Sequence, residues 1–104
     1  MIHDKNITKV SELFKILGNP IRVSILICLL KGNSNVTKIQ KCLDLPQSTV
    51  SQQLGILKGA GIIEGNRNGL EIIYSIVDQK VVEILKSMFD IKNFDSYFVG
   101  GADL

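Results

Sequence analysis

The chain of 104 residues is poor in the groups that carry most enzyme and metal chemistry. It has a single histidine, His3, close to the N-terminus. That leaves no Ser-His-Asp or Cys-His constellation. There is no phosphate-binding loop, and the carboxylates are scattered singly, so the chain is not expected to be an enzyme. A tight zinc site wants three or four converging Cys, His or carboxylate ligands, and the supply here implies neither a metal nor another cofactor. Two cysteines, Cys28 and Cys42, are too few for a disulfide framework. No apolar run approaches the roughly 18 residues of a membrane-spanning helix, so no membrane partner is expected. The start, Met1-Ile2-His3-Asp4-Lys5, lacks a hydrophobic signal core, which points to the cytoplasm. Repeats, low-complexity stretches and a second domain are also missing. Residues 1–104 therefore read as one domain, with 91–104 an unpatterned C-terminal tail.

What the chain does have is aliphatic side chains and an uneven charge. Hydrophobic residues make up 45% of it, enough for a core. A monomer this small has little interior for so many of them, which predicts a homodimer. The net charge of +2 divides unevenly: residues 1–67 hold nine Lys/Arg and four Asp/Glu, and residues 68–104 hold three and six. The first part is thus +5 and the second −3. A basic N-terminal part suits a nucleic-acid partner.

Hydrophobic spacing sets out the elements. Ile7, Val10, Leu13, Phe14 and Leu17 give a helical stripe over residues 6–17, closed by Gly18. Asn19-Pro20 restarts a helix, with Asn as N-cap and Pro in the first turn, running to about Lys31. Apolar residues nearly encircle this helix, the mark of a buried central one. Cys28 falls in its run Ile25-Leu26-Ile27-Cys28-Leu29-Leu30 and reads as a small core residue. Asn35 caps a short helix over 36–43, with Cys42 at its end and partly exposed. Asp44-Leu45-Pro46 turns into a fourth helix over 47–59. The period then switches to that of strands. Ile62-Ile63 begins one, Asn66-Arg67-Asn68-Gly69 reads as a turn, and Leu70–Val77 forms the second. Asp78 caps a last helix over about 79–89. The class is mainly α with a β-hairpin, in the order α-α-α-α-β-β-α: a helix-turn-helix followed by a hairpin.

The fourth helix carries the most information. Val50, Leu54 and Leu57 mark its buried face. The rest of it presents Gln47, Ser48, Thr49, Ser51, Gln52 and Gln53, neutral and able both to donate and to accept. A solvated helix more often carries Lys and Glu pairs. A polar face without carboxylates suits the DNA major groove, where amides pair with adenine and hydroxyls reach bases or phosphates. An ordinary polar surface helix is the competing explanation.

Three segments resemble the ArsR/SmtB family of winged helix-turn-helix repressors. Leu17-Gly18-Asn19-Pro20-Ile21-Arg22-Val23-Ser24-Ile25-Leu26 is similar to the family's L-x-x-P-x-R-x-x-I-L helix. Leu45-Pro46-Gln47-Ser48-Thr49-Val50-Ser51-Gln52-Gln53-Leu54 resembles its recognition helix, and Gly61-Ile62-Ile63 through Tyr74-Ser75-Ile76 its wing. The resemblance implies a homodimer joined through the first and last helices, a fourth helix that reads the major groove and a hairpin against the neighbouring backbone. It is greatest to a branch without the usual metal sites. Where arsenic and cadmium sensors carry a Cys-Val-Cys-type motif, this chain has Asn35, Val36 and Thr37, with Gln40 beyond them. The last helix lacks the histidine of zinc sensors.

The residues expected to contact double-stranded DNA are Gln47, Ser48, Thr49, Ser51, Gln52 and Arg67. Gln47 and Gln52 would read base edges, and the hydroxyls would hold phosphates, although Ser48 could equally cap its helix. Arg67 would reach a groove or a phosphate from the tip of the hairpin, or stay solvated in the turn. Gln53 would turn to the helix flank, and Arg22 would pair within the fold. The expected dimer interface is Phe14, Leu85, Met88 and Phe89. The expected function is a sequence-specific repressor on a palindromic operator, with no metal effector and with any small-molecule effector unidentified. Two alternatives stand beside it. One is a winged-helix protein-interaction module without DNA binding. The other is a redox- or sulfur-responsive repressor using Cys28 and Cys42. Some relatives respond through one cysteine in the second helix and another in the last. Cys42 could replace the latter only if its Cα lay within about 7 Å of that of Cys28.

Overall fold

The computed structural model describes residues 4–90, 92 and 93. His3 and most of the tail from Ile91 lie outside the described residues. The elements run α1 (Lys5–Leu17), α2 (Pro20–Lys31), α3 (Val36–Leu43), α4 (Gln47–Gly59), β1 (Ile63–Asn68), β2 (Glu71–Ile76) and α5 (Gln79–Met88). Most helix starts follow the capping chemistry of the sequence. Asp4 accepts from the Asn6 N–H, Asn19 from those of Ile21 and Arg22, Asn35 from that of Lys38, and Asp78 from those of Lys80 and Val81. The helix α4 differs. Its N-cap is Pro46, and no side chain caps it.

The core is built around α2, whose residues Ile25–Leu29 are all buried. Ile39 of α3, Val50, Leu54 and Leu57 of α4, Ile62, Ile63, and Val81 and Leu85 of α5 close on it. The aliphatic face of α4 thus anchors the helix and leaves its polar face outward. Truncating the fully enclosed Leu54 to alanine would cost about 2–5 kcal/mol. Between α3 and α4, Asp44 adopts a left-handed conformation (φ 54°), which a short carboxylate side chain tolerates better than most. Its N–H closes α3 on the Gln40 carbonyl at 2.7 Å.

The strands pair antiparallel, from Ile63 opposite Ile76 to Asn68 opposite Glu71. The turn is therefore Gly69-Leu70, and the expectation of a turn at Asn66–Gly69 is corrected. Asn66, Arg67 and Asn68 are paired strand residues, opposite Ile73, Ile72 and Glu71. Of the two turn residues only Gly69 has positive φ (68°), the pattern of a two-residue type II′ turn with Gly first. Asn residues favour turns, but here the cross-strand ladder outweighs that local preference. At the root of the hairpin, Ser34 and Tyr74 exchange two backbone hydrogen bonds, of 3.2 and 2.8 Å. The Asn35 carboxamide also donates to the Glu71 carboxylate. A two-stranded hairpin is marginal alone, and these contacts tie it to the start of α3.

Two expectations about apolar residues change. Leu85 lies in the protomer's own core, 3% exposed, and has no free surface for a partner. Phe89 is half-buried against the same core, whereas Phe14 and Met88 are exposed. Cys28 is buried as expected, but it is joined to Cys42 in a disulfide with a Cα–Cα distance of 6.8 Å. The reason is packing: the last turn of α3 stands beside the middle of α2, around Ile27, Val23, Leu43 and Phe89.

Candidate nucleic-acid interface

The polar face of α4 is the first part of the site. Gln47, Ser48, Ser51 and Gln52 are exposed, and Thr49 is half-buried. No side-chain hydrogen bond ties any of the five to another described residue. Ser48 therefore does not cap the helix, and its hydroxyl stays available. With Pro46 at the N-cap, no side chain caps the first-turn N–H groups of α4, an arrangement that suits a phosphate.

Gly55 lies on the same stripe, four residues beyond Ser51 and eight beyond Gln47. A Cβ built on it meets nothing within 4 Å, so the fold itself does not require glycine there. Glycine inside a helix costs about 1 kcal/mol relative to alanine. Gly55 is not among the residues expected from the sequence, where a glycine inside a polar helix face is the signal that marks it. Lys58 is exposed near the end of the helix, and Lys38 and Lys41 are exposed on α3.

Arg67 forms the second part. It is exposed on β1, across from the exposed Ile72, two residues before the turn rather than at the tip. The tip is Leu70, fully exposed. Residues of β1 and β2 that face each other share a side of the hairpin. On the side of Arg67 the sequence runs inward to Gly65 and the buried Ile63, opposite Tyr74 and Ile76. Arg67 thus sits at the outer end of a face rooted in the core. Gln53 turns away from this surface, as expected. It is half-buried and accepts from Arg22 Nη1 at 3.0 Å.

Elsewhere the described surface offers less chemistry. An open groove of about 540 Å³ beside α1 is lined by Val10, Leu13, Ile16 and Ile62 together with Lys9 and Lys80. Among the described residues, no three His, Cys, Asp or Glu side chains converge on a point that could hold a metal ion. No single described helix is long and apolar enough to cross a membrane.

Comparison with known proteins places this geometry. Residues 19–64 match the arsR family of bacterial regulatory proteins. The chain is 45% identical over 83 residues to the transcriptional repressor PagR of Bacillus anthracis, covering 79% of this chain and 83% of that one. The crystal structure of PagR superimposes with a TM-score of 0.75 at 42% identity, covering 82% of this chain and 98% of that one. The biofilm growth-associated repressor of Xylella fastidiosa is 31% identical over 88 residues, 85% of this chain and 77% of that protein. A solution structure from Mycobacterium bovis, described as a homodimeric winged helix-turn-helix DNA-binding domain, aligns with a TM-score of 0.73 at 27% identity, covering 81% of this chain and 78% of that one.

Proposed function

The chain belongs to the arsR family of bacterial regulatory proteins, and from that premise we propose that it is a cytoplasmic repressor whose homodimer occupies a palindromic operator without a metal effector. It is a regulator and not an enzyme. One observation carries the DNA-binding part: the exposed Gln47, Ser48, Ser51 and Gln52 give α4 a polar, uncharged face with no side-chain hydrogen-bond partner among the described residues. An interaction module that had lost DNA would have no need of that face together with an exposed Arg67. In the proposal Gln47 and Gln52 read base edges, and Ser48, Thr49 and Ser51 hold the backbone. Arg67 clamps a neighbouring phosphate.

The dimer draws support from exposed Ile7, Val10 and Phe14 on α1 and Met88 on α5, and from the homodimeric relative. Two symmetry-related α4 helices would enter successive major grooves about 34 Å apart. The absence of a metal effector draws support from the donor set, since Asn35, Val36, Thr37 and Gln40 supply no thiolate.

Titrations at fixed and at varied salt test the proposal. Gln52→Ala is expected to relax base preference and to cost roughly 1–3 kcal/mol on the operator. Arg67→Ala is expected to weaken operator and random DNA alike and to reduce the salt slope by about 0.9. Stoichiometric zinc leaves operator affinity unchanged. If neither substitution alters affinity, the DNA-binding surface lies elsewhere.

The Cys28–Cys42 bridge favours a second function, a repressor responsive to oxidants. Disulfides in the reducing compartment that holds DNA are mostly transient or redox-sensing. Two thiols would pass two electrons and two protons to a peroxide, forming the bridge. Operator affinity that is the same for peroxide-treated and dithiothreitol-treated protein would exclude this response.

A further inference from the structure

The last turn of α1 leaves a carbonyl without its ordinary partner. The helix ends at Leu17, so the carbonyl of Ile16, among its last four, has no intrahelical donor, and Pro20 beyond it has no N–H to offer. Here the chain bends by 90° into α2. The vacant acceptor is filled by Arg22, whose Nε–H donates to the Ile16 carbonyl at 2.7 Å. The same guanidinium donates from Nη1 to Gln53 Oε1 on α4 at 3.0 Å. One planar fork therefore joins the end of α1 to the middle of α4. Both Arg22 and Gln53 are half-buried, so water competes less for these bonds than at an open surface.

We propose that Arg22 and Gln53 form a positioning pair that fixes the rotation of α4 about its own axis relative to α1, and so aims the reading face at the operator. The pair acts on the DNA-binding role of α4 proposed above and rests on it. Among the described residues, the other side chains that hold α4 to the core are apolar, Val50, Leu54 and Leu57. Apolar burial holds a helix against a core but is non-directional. A guanidinium fork is directional, and its two acceptors here belong to two different helices. Gln53 is the neighbour of Gln52, so a small rotation at one moves the amide of the other. Amide-to-base pairing depends on such alignment. At its far side the fork holds α1, whose exposed Ile7, Val10 and Phe14 form the proposed face toward the second protomer. Arg22 thus stands between the helix that would meet the partner and the helix that would meet DNA.

The test uses the full chain and a randomised duplex library of about 30 base pairs, long enough for two half-sites one turn apart. The duplex that the wild type enriches, and a scrambled version of it, are then titrated against Arg22→Lys, Gln53→Met and the double variant. Arg22→Lys keeps the charge but puts all its donors on one nitrogen, so it does not reproduce the planar fork that uses Nε and Nη1. Gln53→Met keeps the volume and helix propensity but removes the acceptor. Each single variant is expected to bind the enriched duplex about tenfold more weakly, as for loss of a charge-assisted hydrogen bond. Binding to the scrambled duplex changes less than about twofold, because phosphate contacts are untouched. The double variant loses no more than the singles. Equal losses on both duplexes, additive losses in the double variant, or retention of full preference by Arg22→Lys would each overturn the pairing. A wild type that enriches no sequence would instead overturn the DNA-binding function itself.

Discussion

Replacing Gly55 with alanine should stabilise the protein and weaken its binding to DNA. A Cβ at this position meets no protein atom within 4 Å, and the backbone there is helical, so the protomer pays no steric penalty. The helix-propensity difference then acts alone, about 0.8–1.0 kcal/mol in favour of alanine. For a domain of this size that raises Tm by roughly 4–8 °C. On DNA the sign reverses. Gly55 continues the stripe of Gln47 and Ser51, so if this stripe lies in the groove the added methyl group enters a packed contact. Overpacking of that kind costs typically 1–3 kcal/mol, or roughly 5- to 150-fold in affinity. Thermal unfolding at one fixed protein concentration reads the first effect. Operator titration at one salt concentration reads the second. Unchanged or tighter operator binding would refute a close approach of this stripe to DNA. A loss of stability would refute the structural premise that the position is open.

Two further outcomes follow from the exposed apolar face and from the bridge. Phe14→Asp or Met88→Asp places an unpaired charge where the partner is proposed to pack, so sedimentation at micromolar concentration should shift from dimer to monomer. A wild type already monomeric there would remove the symmetric operator. Reducing Cys28–Cys42 opens a cross-link spanning 14 residues and should lower unfolding free energy by about 3 kcal/mol on chain-entropy grounds. Coincident urea transitions for the oxidised and reduced protein would show that the bridge carries no such constraint.

Local chemistry made most of the helices legible. The bounds of α3 and α4 coincide with those read from Asn35, the Asp44-Leu45-Pro46 turn and the aliphatic spacing, because capping and periodicity act over a few residues. The hairpin turn was misplaced because Asn66 and Asn68 favour turns, whereas register depends on a partner strand across the ladder. The stripe on α5 showed that Leu85, Met88 and Phe89 are apolar, but periodicity does not say whether a residue faces its own core or a second copy. Leu85 faces its own core. The approach of Cys28 to Cys42 is a matter of how α3 crosses α2. In the site, the polar face of α4 could be read directly. The link from Arg22 to Gln53 spans 31 residues and could not. Its one trace in the sequence is the helix end at Gly18, which leaves the last carbonyls of α1, that of Ile16 among them, in need of other donors.

The attachment of the hairpin through Ser34–Tyr74 and Asn35–Glu71 has a consequence for how such a protein can be altered. The strands are fastened to the first residues of α3, so the hairpin and the helix-turn-helix form a single gauge whose two prongs keep a fixed offset. Little ordering then remains to be done when the gauge meets a duplex, and the spacing it accepts is built in beforehand. The turn residues Gly69 and Leu70 lie just beyond the fastening at Glu71, and Leu70 is fully exposed. New side chains there, or a lengthened tip, could be exchanged freely to change what the outer prong touches. An insertion beside Ser34, or loss of the Asn35 carboxamide, would change the offset itself, and with it every operator the chain could fit.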